Sequence, residues 1–408
     1  MRRWILLALL AVGLAGLTVT NIEGQEVSAQ ARRLHQRAIV VDTHVDVPAS
    51  HARDADYNVG ERHSTGHVDL PRMKDGGLDA AFFSIYMPAT VTGPEAVKRS
   101  LELIDWTKQQ VARNSSTAIL AASVADIRRA HKQGKLAILM GMEGGHMIDD
   151  SLSTLRMYAE LGVRYLTLTH GRKTNWAGSS GDPEITGLTD FGREVVRELN
   201  RSGVMVDLSH VSDQTFFDAL EVAQAPVVLS HSSARAICDH PRNITDEMMR
   251  AVAKNGGVIQ ITFVNSFIDP ALRSADQAIS PERDAKLAEL EKLYADDPSK
   301  RREEARRIRN EYQAGLPKAS WERIIDHIDH AVKTAGIDHV GLGSDFDGAT
   351  MPEGMDDVTR LPRITEALLA KGYSDKDIEK ILGGNLLRVL ERVERIGSQL
   401  RAAKGPVK

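Results

Sequence analysis

Eight short apolar segments alternate along the chain with segments of helical periodicity, and this alternation constrains the fold more than any other feature. The apolar segments are rich in Val, Ile, Leu and Phe and end in polar or glycine-rich turns, which is typical of buried parallel strands. The predicted strands are Ala38–Asp46, Asp79–Tyr86, Leu136–Met142, Arg164–His170, Gly203–His210, Pro226–His231, Gly257–Val264 and His339–Asp345. The predicted helices are Glu95–Arg113, Ser151–Leu161, Asp190–Arg201, Ser212–Val222, Thr245–Lys254 and Trp321–Thr334, with closing helices at Leu361–Ala370 and Ser374–Val393.

A strand–helix unit repeated eight times predicts an α/β fold of the (β/α)8 TIM-barrel type. The alternative is an open, doubly wound sheet, in which a glycine-rich phosphate loop is expected after the first strand. The sequence "VVDTHVDVP" stands at that position instead, so the barrel is favoured.

Composition narrows the function classes. The 408 residues are 42% hydrophobic and carry a net charge of −4, which fits a soluble globular protein and gives no sign of a nucleic-acid partner. The single cysteine, Cys238, excludes an intramolecular disulfide and a Cys-based zinc site. Any metal site must therefore draw on carboxylates and on the 14 histidines.

The N-terminus has the pattern of an export signal. A basic start is followed by an apolar run from Trp4 to about Val19, and the small residues of Val27-Ser28-Ala29 offer a cleavage site. We predict a signal peptide over residues 1–29 and one domain over 30–408, exported to the periplasm or secreted. The alternative is an uncleaved anchor that associates the protein with a membrane.

One segment interrupts the strand–helix rhythm. Residues 269–318, between the seventh and eighth predicted strands, are dense in charge, and Ser280-Pro281 predicts a helix start. Leu287, Leu290 and Leu293 give that helix a narrow apolar stripe. The segment is either a lid or partner surface beside the active site or a solvated helical hairpin on the flank of the barrel, and we favour the hairpin.

Polar residues gather at the carboxyl ends of the predicted strands, where a barrel enzyme carries its chemistry. Seven of them come from six strands: His44, Asp46, Glu143, His170, His210, His231 and Asp345. Packing alone rarely places a histidine or carboxylate at so many strand ends, so the set predicts a functional site. By contrast, His327 and His330 lie on a predicted helix and are interpreted as a solvated face.

The spacing of these residues predicts metal binding. His44 and Asp46 are two apart on one strand and can hold one metal, whereas His210 and His231 end consecutive strands and can hold a second. Glu143 has two carboxylate oxygens and can bridge the two cations. Mixed imidazole and carboxylate ligation suits catalytic Zn²⁺ better than Ca²⁺ or Mg²⁺.

The order of motifs resembles the membrane dipeptidase (renal dipeptidase) family of zinc peptidases, peptidase family M19, in an exported, bacterial-type form. The resemblance extends from about Arg37 to Arg392 and rests on "VVDTHVDVP", "GMEGG", "LGVRYLTLTH", "VDLSH", "VVLSHSSAR", "HPRNITDEM", "GLGSDFDG" and "GGNLLRVL". It implies a barrel of the metal-dependent amidohydrolase type with two zinc ions. The insertion is longer than the family leads us to expect, and the single cysteine excludes the disulfides of the animal enzymes.

The resemblance also assigns roles. His44 and Asp46 hold one zinc, His210 and His231 hold the other, and Glu143 bridges them together with a water or hydroxide. His170 contacts the substrate near the scissile bond, Arg242 binds the substrate carboxylate, and Asp345 lies against the bridging water as a proton shuttle. Glu143, His170 and Asp345 are thus the predicted catalytic residues, and His170, Arg242 and Asp345 the predicted substrate-binding residues.

The expected reaction is hydrolysis of dipeptides by a zinc-bridging hydroxide, with tolerance of D-residues at the C-terminal position. The resemblance also implies a homodimer, which members of the family often form. One alternative is a metal-dependent amidohydrolase acting on another small carboxylate-bearing amide, such as a β-lactam, or on a lactone or phosphotriester. A second is an exported binding protein with an inactive barrel. That reading predicts missing ligands, and all five are present.

Overall fold

The computed structural model describes residues 27–184 and 186–404. Within them the chain forms nine strands: β1 Val41–Val45, β2 Ala80–Tyr86, β3 Ala118–Leu120, β4 Leu136–Glu143, β5 Val163–Thr167, β6 Met205–Asp207, β7 Val228–Ser232, β8 Val258–Ile261 and β9 Val340–Leu342. All strands except β3 close into a parallel barrel in the order β1, β2, β4, β5, β6, β7, β8, β9. The predicted (β/α)8 barrel is therefore confirmed.

Helices surround this barrel. They are α1 Ala29–Arg37, α2 Val47–His51, α3 Leu70–Gly76, α4 Gly93–Arg113, α5 Val124–Lys132, α6 Leu152–Leu161, α7 Asp190–Ser202, α8 Asp213–Val222, α9 Asp246–Asn255, α10 Asn265–Ile268, α11 Pro270–Leu293, α12 Pro298–Ala314, α13 Glu322–Ala335, α14 Pro362–Ala370, α15 Asp375–Glu379 and α16 Asn385–Lys404. The predicted closing helix at 374–393 is divided by a π-helical turn over Lys380–Gly384. The other predicted helices match observed ones to within a few residues.

The strand β3 is absent from the predicted elements. Its three residues pair with Leu136–Ile138 of β4, on the same edge of β4 that β5 occupies further along, over Met140–Glu143. A three-residue strand is too short to show a period in the sequence, and it lies between two helices, α4 and α5. It widens the sheet at the end of the barrel opposite the polar rim.

The charged insertion consists of α11 and α12, and its start differs from the prediction. The helix α11 begins at Pro270, where the Asp269 side chain accepts a hydrogen bond from the Leu272 N–H at 2.8 Å, and Pro281 lies inside the helix. Proline cannot donate to the carbonyl four residues earlier. The Ser280 hydroxyl donates to that carbonyl, on Gln277, at 3.2 Å instead, so the helix continues.

The N-terminal boundary lies at the edge of the described residues. Ser28 caps α1, its side chain accepting from the Ala31 N–H, and its own N–H donates to the Glu366 carboxylate at 2.9 Å. The predicted signal peptide otherwise falls outside the described residues. Among the helices of residues 27–184 and 186–404, none combines the length and apolar character needed to cross a membrane.

Candidate active site

The rim formed by the carboxyl ends of the strands brings the predicted metal ligands together. His44 lies on β1, Glu143 is the last residue of β4, and His231 lies on β7. Oε1 of Glu143 is 3.6 Å from Nε2 of His44 and 3.3 Å from Nε2 of His231. Because all barrel strands are parallel, side chains distant in sequence converge on this one rim.

Loops that follow the strands add two more histidines. His170 and His210 each lie three residues beyond the end of a strand, β5 and β6 respectively. Their Nε2 atoms are 3.8 and 3.0 Å from Oε1 of Glu143. The His210 backbone has a left-handed φ of 67°, which is uncommon for a residue with a side chain and turns the imidazole into the cluster.

Two aspartates complete the cluster from the side of β1 and β9. Nε2 of His44 is 3.4 Å from Oδ2 of Asp46 and 3.9 Å from Oδ1 of Asp345. Asp345 has a left-handed φ of 66°, and its N–H donates to the His44 carbonyl at 3.0 Å. A side chain at Gly348 would come within 2.4 Å of both carboxylates, so only glycine leaves them room.

The donor atoms fit a metal. Nε2 of His44 and Oδ1 of Asp46 are buried and make no hydrogen bond to any residue the structure describes. Nδ1 of His44 lies 2.7 Å from the Tyr165 hydroxyl, and Nδ1 of His231 lies 2.9 Å from the Ser230 hydroxyl. Partners on Nδ1 orient an imidazole and leave its Nε2 for a cation, which is the usual arrangement of histidine ligands.

Two fully buried aspartates hold the strand ends that carry these histidines. Oδ1 of Asp42 accepts from the N–H groups of His44 and Ser344, at 3.0 and 2.9 Å. Asp207 accepts from the Ser230 hydroxyl at 2.6 Å and from the Ser230 N–H at 2.9 Å. Sequence analysis missed both aspartates and Tyr165. The signal for the aspartates is their spacing before histidine in "DTH" and "DLSH".

The protonation states also suit metal binding. Burial alone would raise the pKa of Glu143, but the surrounding imidazoles hold the pKa of this carboxyl well below its usual range. Burial lowers the pKa of His210 and His231 well below the ordinary value, so both are neutral. An ionised carboxylate and neutral imidazoles are the forms in which these groups bind metals.

The pKa values of His44 and Asp345 are shifted upward instead. Burial would lower the pKa of His44, but the Tyr165 hydroxyl and the Glu143 and Asp46 carboxylates raise it well above the ordinary value. Burial, reinforced by the neighbouring Asp46, raises the pKa of Asp345. His44 therefore attracts a cation, whether a proton or a metal, and Asp345 can hold a proton.

A cavity of about 540 Å³ opens above the cluster. Its lining includes Asp46, Glu143, His170, His210, Arg242 and Asp345, whereas His44 and His231 contact Glu143 from beneath. The structure thus places all eight predicted site residues in one region, within or below one cavity.

Arg242 presents a buried positive charge to this cavity. Its Nη2 donates to the His231 carbonyl at 3.0 Å, and its Nε has no hydrogen-bond partner among the described residues. The guanidinium carbon lies 5.6 Å from the centre of the Phe267 ring. Burial lowers the pKa of Arg242 to about 10, so the group stays charged at neutral pH.

His170 lies beside Glu143, between Tyr86 and His210. Its ring centre is 4.7 Å from that of Tyr86 and 4.3 Å from that of His210, and its side chain is partly exposed to the cavity. Burial lowers the pKa of His170, so it is a neutral hydrogen-bond donor at neutral pH.

A (β/α)8 barrel with histidines and carboxylates converging at its carboxyl-end rim defines the class of metal-dependent hydrolases. Residues 28–404 match the sequence model of the membrane dipeptidase family, peptidase family M19. The chain therefore belongs to that family, as the motifs predicted, and is a dipeptidase-type metallopeptidase.

Solved structures agree with this assignment. The chain is 29% identical to the probable dipeptidase PvdM from Pseudomonas aeruginosa, with a TM-score of 0.76 over 90% of this chain and 98% of that one. It is 28% identical to a metallopeptidase from Rhodobacter sphaeroides, with a TM-score of 0.72 over 87% and 99% of the two chains. That metallopeptidase was solved with a phosphinate mimic of the dipeptide L-Ala-D-Ala.

Proposed function

We propose that this protein is a two-zinc dipeptidase that hydrolyses free dipeptides and accepts D-residues at the C-terminal position. The observation that carries the proposal is the position of Glu143, whose Oε1 lies 3.0–3.6 Å from Nε2 of His210, His231 and His44. One carboxylate among three imidazoles supports a site for two cations, which Glu143 would bridge. The L-Ala-D-Ala mimic bound by the Rhodobacter sphaeroides relative supports the substrate class and its stereochemistry.

In this proposal His44 and Asp46 would hold one zinc, His210 and His231 would hold the other, and Glu143 would be a ligand of both. Mixed nitrogen and oxygen ligands of this kind suit zinc, which is the metal we propose. When bound, two zinc ions supply a strongly acidified water as nucleophile and a Lewis acid for the peptide carbonyl.

Arg242 binds the C-terminal carboxylate of the substrate. Guanidinium and carboxylate groups can form two parallel hydrogen bonds, and the buried position of Arg242 strengthens them because water does not compete. A binding site that fixes the C-terminal carboxylate close to the cluster selects the peptide bond nearest the C-terminus, which is the single peptide bond of a dipeptide. The neutral His170 can donate from Nε2 to the peptide oxygen as negative charge develops there.

Asp345 moves the proton. A carboxyl beside the cluster can accept a proton from the attacking water and return it to the leaving amine. The hydrogen bond from the Asp345 N–H to the His44 carbonyl ties this loop to the end of β1, next to the cluster.

The test combines metal analysis of the purified protein with a panel of dipeptides, including L-D pairs, C-terminal amides and a β-lactam. We expect two zinc ions per chain, loss of activity on chelation, recovery on adding zinc, and turnover of free dipeptides. Full activity in demonstrably metal-free protein would overturn the proposal. Faster turnover of the β-lactam than of any dipeptide would favour the second candidate, since Arg242 fits any small carboxylate-bearing amide.

We also propose an exported protein with one catalytic domain, and we move its start from residue 30, predicted from the sequence, to Ser28, because Ala29 is the first residue of α1. The capping of α1 by Ser28 and its hydrogen bond to Glu366 support a boundary just before this residue. Cleavage upstream of Ser28 would preserve the cap, and N-terminal sequencing of the protein recovered from the producing cell tests it. The homodimer and the membrane association stay predictions.

A further inference from the structure

A turn in the loop after β7 places a second polar side chain beside Arg242. The Asn243 N–H donates to the His240 carbonyl at 2.9 Å and closes a four-residue turn. Pro241 stands at the second position of this turn, where its fixed φ is favoured. The Asn243 side-chain amide donates to the Phe267 carbonyl of α10 at 2.7 Å, so the turn is held against that helix.

The imidazole of His240 folds back over this turn. Its Nδ1 accepts a hydrogen bond from the Arg242 N–H at 3.0 Å. A ring nitrogen that accepts a hydrogen bond carries no proton, so the proton of the neutral ring is on Nε2. Nε2 has no hydrogen-bond partner among the residues that the structure describes, and its N–H can therefore bind a ligand.

The His240 ring is neutral at neutral pH. Burial, reinforced by the positive charges of Arg273 and Arg242, lowers the pKa of His240 to about 3. Protonation of Nδ1 would also break the hydrogen bond from the Arg242 N–H. His240 can therefore donate a hydrogen bond without adding a second positive charge next to Arg242.

His240 and Arg242 line the same cavity, the one of about 540 Å³ above the metal cluster. Both also lie against one aromatic ring. The centre of the His240 ring is 4.2 Å from that of Phe267, and the Arg242 guanidinium carbon is 5.6 Å from the same ring centre. The imidazole and the guanidinium are thus neighbours at one side of the active site.

Arg242 can satisfy only part of a carboxylate that enters this cavity. A guanidinium supplies two parallel hydrogen bonds, whereas a carboxylate has about four acceptor sites. Nη2 of Arg242 is also shared with the His231 carbonyl. An acceptor that leaves water without gaining a partner costs free energy, so a further donor beside the guanidinium would strengthen carboxylate binding.

We propose that His240 binds the C-terminal carboxylate of the substrate together with Arg242, by donating a hydrogen bond from Nε2. The inference rests on the proposed function, which assigns this carboxylate to Arg242. We call the two side chains the carboxylate clamp. The turn fixes their relative position before the substrate enters, and donors on two different side chains fix the orientation of a carboxylate as well as its position.

The experiment measures Ki for a phosphinate mimic of L-Ala-D-Ala and for an analogue in which a methyl group replaces its C-terminal carboxylate. The ratio of the two Ki values isolates the contribution of the carboxylate, because the phosphinate is common to both compounds. His240→Asn keeps an acceptor for the Arg242 N–H but has no donor in place of Nε2. The ratio should therefore fall about ten- to a hundredfold, the range expected for a hydrogen bond to a charged group.

A second variant separates direct contact from positioning of Arg242. His240→Gln can place an amide N–H near the position of Nε2, so its ratio should be at least about threefold higher than that of His240→Asn. If His240 only held Arg242 in place, the order of the two variants would be reversed. His339→Asn is the control and should match the wild-type protein, because Nδ1 of His339 contacts the Gly257 carbonyl at the opposite end of the barrel.

If His240→Asn fails to fold by circular dichroism, the wild-type protein provides the test. The NMR signal of the His240 Nε2 proton should shift when the phosphinate mimic binds and not when its methyl analogue binds.

Three outcomes would overturn the inference while leaving the dipeptidase intact. They are an unchanged ratio in His240→Asn, a lower ratio in His240→Gln than in His240→Asn, and an Nε2 proton that both compounds affect equally. A wild-type ratio near one would instead remove the carboxylate from Arg242, and failure to hydrolyse any dipeptide would overturn the proposed function.

Discussion

The Nε2 atoms of His210 and His231 lie 2.9 Å apart. Both face Oε1 of Glu143, at 3.0 and 3.3 Å, and Nδ1 of His231 is occupied by the Ser230 hydroxyl. Two neutral imidazole nitrogens approach this closely only when a positive centre attracts both lone pairs or when one carries the proton that the other accepts. We therefore expect metal binding to be most sensitive to the replacement of His210 or His231.

His231→Ala tests this point. Removing one of the two facing imidazoles should release about one zinc per chain and lower kcat/KM by at least about a hundredfold, because neither Glu143 nor His210 can supply the missing nitrogen. Metal content is measured by atomic absorption on the dialysed protein. His330→Ala is the control, since His330 pairs with Asp246 away from the rim, and unchanged zinc in His231→Ala would remove His231 from the ligand set.

Tyr165→Phe tests how His44 is oriented. The hydroxyl lies 2.7 Å from Nδ1 of His44, and the loss of such a partner typically weakens metal binding 10–100-fold. We expect a loss in zinc affinity of about that size, measured by competition with a chelator, with little change in kcat at saturating zinc. Tyr158→Phe is the matched control, because the Tyr158 hydroxyl donates to the Met147 carbonyl elsewhere in the core. Equal affinities in both variants would contradict the orienting role.

Asp345→Asn separates proton transfer from structure. Asparagine is nearly isosteric and tolerates the left-handed backbone at this position, so the barrel and the zinc content should be unchanged. The amide cannot accept a proton, and kcat should fall about 10²–10⁴-fold with a smaller change in KM. Loss of zinc would mean that Asp345 is a ligand. A near-normal kcat would mean that another group transfers the proton, and His170 would be the first residue to test.

The proposed role of Arg242 predicts that blocking the C-terminal carboxylate of the substrate will slow its turnover. Converting the C-terminal carboxylate of a good dipeptide to an amide should cost on the order of 2–5 kcal/mol in transition-state binding, because a buried guanidinium is left unpaired. In Arg242→Lys the difference between acid and amide should shrink, since lysine cannot form the two parallel hydrogen bonds. Arg235→Lys, which alters a partly exposed pair with Asp213, should retain the full difference. Equal turnover of acid and amide by the wild-type protein would remove Arg242 from its role.

His327 predicts a pH dependence of stability. Burial lowers its pKa to about 4 from the ordinary value of 6.5, while Nδ1 accepts from the Ala234 N–H and Nε2 donates to the Ile268 carbonyl. As the pH falls from 6.5 to 4, the unfolded chain binds this proton and the folded protein does not, so stability is lost over that window. The contribution is on the order of 3 kcal/mol. Urea unfolding of wild type and His327→Gln at both pH values should show a smaller decrease in the variant, and parallel decreases would contradict the assignment.

The barrel and the cluster were predictable because both depend on residue types at fixed positions. A buried parallel strand requires an apolar run, and a metal site at its end requires a histidine or carboxylate directly afterwards. His44 and Glu143 show this directly, each at or next to the last residue of its strand. His170, His210 and Asp345 lie three residues beyond their strands, yet they are close enough for the same pattern to find them.

The features that sequence analysis missed depend on contacts between distant residues. His327 was interpreted as part of a solvated helix face, which is wrong, because α10 and the loop after β7 cover it. The Tyr165 hydroxyl contacts His44 across the inside of the barrel, where Gly141 leaves room for the ring. Pro281 indicated a helix start, but α11 passes through it, and the Ser280 hydroxyl donates to the Gln277 carbonyl that the proline cannot reach with an N–H.

The left-handed backbone at His210 and Asp345 lowers the stability of the folded protein, whereas the side chains at these two positions serve the proposed chemistry. Each such residue costs the folded protein roughly 1 kcal/mol that a glycine would not. Random libraries of this chain selected for heat resistance alone should therefore accumulate glycine at positions 210 and 345, and the survivors should be robust and inactive. Improvement of the enzyme by directed evolution has to screen for turnover at every round, because the most accessible gains in stability at these positions remove the chemistry.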